Sequence, residues 1–123
     1  MTDGERDLEA LMLVDEPEFE RVLECVFGVQ PHESRTYTAL SKAPGSTTAE
    51  LATDLDRDRS SVSRSLGTLE EKALVERTQR LLDGGGYVYQ YTALPLPETK
   101  SRMHRAVDEW SEQVHERIEE FGE

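Results

Sequence analysis

TTAELATDLDRDRSSVSRSLGTLEEKAL, residues 47–74, holds two helical periods separated by a polar joint, and the fold follows from how that joint is read. Thr47 stands three residues before Glu50, the capping-box spacing in which a hydroxyl accepts a backbone amide and the glutamate reaches back. A short helix from Thr48 to about Leu55 follows, with Leu51, Ala52 and Leu55 inward. Asp56, Arg57 and Asp58 interrupt it. Asp58 or a neighbouring serine caps a longer helix to about Lys72, in which Val62, Leu66, Leu69 and Ala73 recur at spacings of four, three and four. Two helices that cross closely need a small residue at the contact, and Ala52 supplies it; Val62, ten positions on, turns the second apolar face back onto the first helix. Asp56 falls where glycine is common in such turns, and aspartate tolerates the left-handed conformation better than most residues.

Outward from this core the period is helical upstream and becomes two downstream. PEFERVLECVFG, residues 17–28, predicts a short amphipathic helix with Pro17 in its first turn and Phe19, Val22, Leu23, Val26 and Phe27 apolar. PHESRTYTALSKAPGS, residues 31–46, predicts a second, with Tyr37 and Leu40 buried and Pro44–Gly45 as breakers. LVERTQRLL (74–82) and YVYQYTAL (87–94) alternate at period two around Asp83–Gly86, which predicts a β-hairpin with a glycine-rich tip. Tyr87, Tyr89 and Tyr91 share one face of it and are expected to pack against helix 58–72. Pro95 and Pro97 close the hairpin. A last helix from about Glu98 to Glu120 places Met103, Val107, Trp110, Val114 and Ile118 or Phe121 on a heptad-like seam. The expected class is mainly α with a small β-hairpin: a winged helix-turn-helix over 16–96, preceded by a poorly ordered acidic N-terminus (1–15) and followed by a long dimerisation helix (97–123).

Charge decides where a partner would bind. The chain has 123 residues and a net charge of −12, from 26 acids and 14 bases, and eleven of those bases are arginine. A carboxylate surface with little lysine suits concentrated salt, where repulsion is screened within about 3 Å at 1 M; a halophilic cytoplasm is the expected setting. Residues 1–34 carry ten acids and two bases, and residues 98–123 carry eight and four, whereas residues 57–80 carry six bases and four acids. That middle segment is the only one of the three that is net basic, so a nucleic-acid surface belongs there.

With Val62, Leu66 and Leu69 inward, the opposite face of the second helix carries Ser60, Ser61, Arg64 and Thr68, with Ser63 beside them. Arg64 lies where a recognition helix meets base edges, and a bidentate arginine–guanine pair discriminates by about 1–3 kcal/mol. Arg57 and Arg59, at the joint, are expected phosphate contacts. In the wing, Arg77 and Arg80 are three apart and so lie on different faces; at least one is expected on a phosphate or in the minor groove, and either has Glu76 or the acidic helices as an alternative partner.

SKAPGSTTAELATDLDRDRSSVSRSLGTLEEKALVERTQR, residues 41–80, resembles the DNA-binding domain of archaeal and bacterial winged-helix transcription regulators of the TrmB and MarR type, and SSVSRSLGTLEEKALVER resembles their recognition helix and its exit into the wing. The resemblance covers roughly residues 31–93. It implies a homodimer on pseudo-palindromic promoter DNA, with helix 58–72 in the major groove and wing 75–92 on the backbone or minor groove. A long helix, similar to that of small PadR-type regulators, stands where full-length TrmB proteins carry a sensor domain, so no sugar ligand is expected. The dimer seam is expected from Met103, Val107, Trp110, Val114 and Phe121; docking of the same seam onto the first helix is the alternative.

Other functions find less support. His32, His104 and His115 stand beside no plausible nucleophile, and Gly84–Gly86 lacks the lysine and hydroxyl of a phosphate loop. No enzyme activity, metal or cofactor is expected, and no apolar run approaches a membrane span. Cys25, among Val22, Leu23, Val26 and Phe27, reads as a buried structural thiol. The rival reading is a winged-helix protein–protein module of a transcription assembly, favoured by the large negative charge. Carboxylates flanking the arginines are expected to hold inorganic cations at a DNA interface, which flattens the usual loss of affinity with salt.

Overall fold

The computed structural model describes residues 17–122, so the expectation for 1–15 lies outside the described residues. Seven elements follow in order: α1 Phe19–Phe27, α2 Pro31–Lys42, α3 Thr48–Leu55, α4 Arg59–Glu71, β1 Val75–Leu81, β2 Tyr87–Ala93 and α5 Leu96–Glu120. Mainly helical, with a two-stranded hairpin and a long last helix, this is the winged helix-turn-helix order. Two compact units result, one of residues 29–96 and the other joining α1 to α5.

In the first unit, α2, α3 and α4 pack on one another, β1 lies along α4, and β2 lies along α2 and α3. Their apolar stripes meet in a core of Tyr37, Leu40, Leu51, Ala52, Val62, Leu66, Leu69 and Leu74. The Tyr37 hydroxyl donates to the Leu94 carbonyl at 2.9 Å, so the one polar atom of a buried ring is satisfied at the foot of the wing. The hairpin is antiparallel, from Val75 opposite Ala93 to Leu81 opposite Tyr87. Ser46 adds a bridge on the far side of β2: the Tyr91 amide donates to Ser46 and the Gly45 amide to Tyr91.

The caps explain the boundaries. Thr47 Oγ1 accepts the Glu50 amide at 3.1 Å, and Glu50 Oε1 accepts the Thr47 amide at 2.8 Å, which starts α3 where its capping box predicts. At its far end Asp56 takes φ 52, and the Arg57 amide returns to the Ala52 carbonyl, the six-to-one bond of a Schellman stop. α4 ends the same way. Ala73 takes φ 58 and the Leu74 amide donates to the Leu69 carbonyl at 2.9 Å. Ala73, expected inward, is therefore exposed, because the reversal carries Leu74 into the core in its place.

Three other expectations shift. Pro17 stands outside α1, whose N-cap is Glu18. α5 begins at Leu96, with Pro97 in the first turn, where the missing amide costs no helical bond. The three tyrosines do not pack together on α4: Tyr91 is buried, Tyr89 half-buried and Tyr87 exposed, since β2 leans on α2 and α3 at one end and leaves the helices at the other.

In the second unit, Leu23 and Cys25 of α1 and Thr99 and Met103 of α5 are buried. Arg102 sets its guanidinium 4.8 Å from the centre of the Phe27 ring. Phe19, Val22, Met103 and Val107 share a groove of about 460 Å³. Beyond it the seam opens: Val107, Ile118 and Phe121 are exposed, and Trp110 and Val114 half-buried. No described helix is long and apolar enough to cross a membrane.

Candidate nucleic-acid interface

The surface is built on the crossing of α3 and α4. Ala52 and Val62 are buried at the joint, as two closely crossing helices require, and Val62, Ser65, Leu66 and Leu69 form the buried side of α4. At about 100° per residue the side opposite this stripe centres on Arg64. Arg59, Ser60, Ser63 and Arg64 are exposed, and Ser61 and Thr68 half-buried, with the Thr68 hydroxyl donating to the Arg64 carbonyl at 3.3 Å. α4 thus presents two arginines and a row of hydroxyls in its first two turns.

Asp58 is the N-cap residue of α4. Its carboxylate faces Ser61 without closing a cap bond; the Ser61 hydroxyl above all, opposed by desolvation and aided by the Ser61 amide and the charge of Arg64, holds it below the ordinary aspartate value. The interface thus keeps an ionised carboxylate at the mouth of its arginine cluster. Arg57 differs from its neighbours. It is half-buried, and its Nη1 is shielded from water with no hydrogen-bond partner among the described residues. A guanidinium nitrogen in that state favours an arriving acceptor such as a phosphate oxygen.

The wing divides its arginines between two faces. Arg77 Nε lies 4.0 Å from Glu70 Oε2 of α4, and its guanidinium stacks 4.2 Å from the centre of the Tyr89 ring. Arg77 therefore fastens β1 to α4. Arg80 lies on the opposite face, exposed, and its charge helps to lower the pKa of Glu50 behind the two Thr47 hydrogen bonds that dominate that shift. Gln90, on the Arg80 face, donates to the Gly45 carbonyl at 2.9 Å.

Comparison with known proteins identifies the fold's lineage. Residues 23–96 match the family described as sugar-specific transcriptional regulator TrmB. The chain belongs to the TrmB family. It is 33% identical over 103 residues to the uncharacterized protein MJ1503 of Methanocaldococcus jannaschii, covering 84% of this chain and 78% of that protein. Among solved structures, a possible transcriptional regulator from Methanosarcina mazei superposes with a TM-score of 0.78 at 27% identity, over 89% of this chain and 92% of the other. TrmBL2, an archaeal chromatin protein, shares the fold at 21% identity and a TM-score of 0.51, over 94% of this chain and 36% of its own. The TrmB family is one of transcription regulators with a DNA-binding winged-helix fold, not of enzymes.

Two features of this TrmB-family surface escape the sequence reading. Ser65, fully buried within SRS, shares a 2.9 Å hydrogen bond with His32 Nδ1 of α2, a tie between residues 33 apart that holds α4 from behind. Gly67 lies about 60° from Arg64 on the outer side, and a Cβ built there would meet nothing within 4 Å. The fold does not require that glycine. A helix interior with Ala in its place is steadier by about 0.5–1 kcal/mol, a signal the sequence carried but packing logic overlooked. Among the described residues no cluster of three or more histidine, cysteine or carboxylate side chains could hold a metal.

Proposed function

We propose that this TrmB-family chain is a sequence-specific, DNA-binding transcription regulator of the cytoplasm, acting as a homodimer through α5 on promoter DNA. In this reading 16–96 is the DNA-binding part and 97–123 the dimerisation helix. α4 enters the major groove: Arg64 reads a base edge, Ser60, Ser61, Ser63 and Thr68 contact bases or phosphates around it, and Arg57 and Arg59 clamp the backbone. Arg80 meets the backbone or minor groove from the wing, and Arg77 serves chiefly to hold the wing to α4.

The observation that carries this reading is the exposure of Arg64 on the side of α4 opposite its buried stripe, with Arg59 exposed in the first turn. A helix whose outward side served only solubility in an acidic chain would carry carboxylates there, as α5 does. Asp56 and Asp58 flank the same arginines, and in this reading they retain inorganic cations when DNA arrives. Binding then releases fewer ions than the arginines alone would displace, so affinity holds in high salt.

The test is a shift assay on promoter fragments across a KCl series. Arg64→Ala is expected to cost about 1–3 kcal/mol on the preferred site and to relax base preference at one position. Unchanged affinity and preference in that variant would favour the protein-binding alternative.

A further inference from the structure

We propose that the wing tip enters the minor groove as an apolar wedge, with Leu81 and Leu82 as its edge and Tyr87 as its flank; this rests on the DNA-binding reading above. The tip is apolar on an otherwise strongly acidic chain. Leu81 is 78% exposed, Leu82 43% and Tyr87 52%, and Leu81 and Tyr87 form the last pair of the ladder. Clustered large apolar side chains held in water mark a contact surface.

The cluster continues a stripe that starts in the core. Tyr91 is buried, Tyr89 is covered by the Arg77 guanidinium and by the edge of Tyr87 at 5.3 Å, and Leu81 with Tyr87 carries the same face outward to the tip. The wing is thus stiffened to its end, and its last side chains have no partner among the elements beneath them. The turn is also narrow. The Leu82 amide donates to Gly86 at 3.0 Å and the Gly85 amide to Leu82 at 3.1 Å, with Gly85 and Gly86 at φ 97 and 79. Glycine accepts those angles without strain and adds no side chain beside Leu82.

Reach and charge both point to the minor groove. Strands of seven residues extend about 23 Å. With α4 in a major groove about 12 Å wide, that length crosses one phosphate backbone to the minor groove, about 6 Å wide, which admits a slim tip. Arg80, the residue before Leu81, is exposed where the crossed phosphates would lie. From residue 81 to residue 99 there is no lysine or arginine, and the one charge in the turn is Asp83. Electrostatic attraction therefore cannot hold the tip on DNA, whereas leucines inserted at a base step unstack it and bend the duplex at no cost in ions. Such a contact suits a chain of net charge −12, because its strength is independent of counterion release.

The experiment compares the wild-type chain, the Leu81→Ala/Leu82→Ala variant and Arg59→Ala on one bound promoter fragment, reading affinity across a KCl series and duplex bend by end-to-end energy transfer. Both leucines are exposed, so the double variant is expected to melt like the wild type. The wedge predicts about tenfold weaker binding at every salt concentration, an unchanged salt slope and a smaller bend; Arg59→Ala, which removes a phosphate contact, instead makes the slope shallower and leaves the bend. A double variant that binds and bends like the wild type overturns the wedge, leaves the DNA-binding reading standing and assigns the tip to a protein partner. A wild-type chain that binds no promoter fragment overturns that reading and the wedge with it.

Discussion

Ala73 sits just past the end of α4 with φ 58, a conformation that costs an L-residue about 1–2 kcal/mol because Cβ crowds the following carbonyl. Gly67, two turns earlier, has the opposite fault: it spends backbone entropy in a regular helix with open space around it. Exchanging the two residue types should therefore improve the fold at both places. Ala73→Gly is expected to stabilise by about 1 kcal/mol, raising the melting temperature by about 4–8 °C. Gly67→Ala is expected to stabilise by about 0.5–1 kcal/mol. The two part company on DNA. Gly67 shares the outer side of α4 with Arg64, so its alanine variant is expected to bind more weakly although it melts higher, while Ala73→Gly binds as before. Thermal unfolding and a shift assay on the same preparations check both signs.

At the scale of elements, α3 depends on its reciprocal cap, since a helix of eight residues has few internal bonds of its own. Thr47→Ala is expected to cost about 1 kcal/mol in urea unfolding. The glutamate half of the cap is visible in pH. The two Thr47 hydrogen bonds lower the Glu50 pKa below its ordinary value of 4.5, so the folded state releases that proton more readily than the unfolded state. The resulting stability is fully present above pH 4.5 and is lost as pH falls through the folded-state value. Glu50→Gln is expected to flatten the acid limb of stability measured from about pH 6 to pH 3, with Asp58, lowered in the same sense, supplying part of what remains. The hairpin depends on a different device, the stack of Arg77 between Glu70 and Tyr89, which sets the direction of the wing relative to α4.

For the whole molecule, the outstanding feature is an apolar seam that one chain covers only in part. Met103 is buried, yet Phe121 at the far end is 91% exposed, and the helix rises about 27 Å between them. The carboxylates Asp108, Glu109, Glu112 and Glu116 lie away from the seam's borders, which carry Ala106, Ser111 and Gln113 together with the cations Lys100 and Arg117. A second copy can therefore approach along the seam without bringing carboxylates face to face, which is what a dimer of two strongly acidic chains requires. Val114→Glu is expected to convert a dimer to a monomer in sedimentation velocity and to weaken promoter binding by more than tenfold, because two linked half-sites bind with an avidity that one cannot reach. A monomeric wild type, or a variant that stays dimeric, would remove α5 from that role.

Much of this architecture was legible in the chain alone, because the interactions that decide it are local. The Thr47–Glu50 cap, the Val62–Leu66–Leu69 stripe, the outward Arg64 and the glycine turn between two alternating runs each depend on residues within a few positions of one another. Local periodicity also misled where it continued past its element: the spacing that makes Leu69 inward makes Ala73 inward too, until the six-to-one bond from Leu74 reverses the chain. Alternation placed the three tyrosines on one face, but the expected packing of that face on helix 58–72 gave way to α2 and α3, which β2 lies along. Only the tertiary structure joined His32 to Ser65, Gln90 to Gly45 and Tyr37 to Leu94, pairs 33, 45 and 57 residues apart. Sequence periodicity determined the helices, the hairpin and the outward row of α4; the packing of distant segments decided how that row is braced, which arginine is tied down, and which side chains the wing carries out into solvent, since no short-range spacing encodes a contact made only when the chain closes on itself.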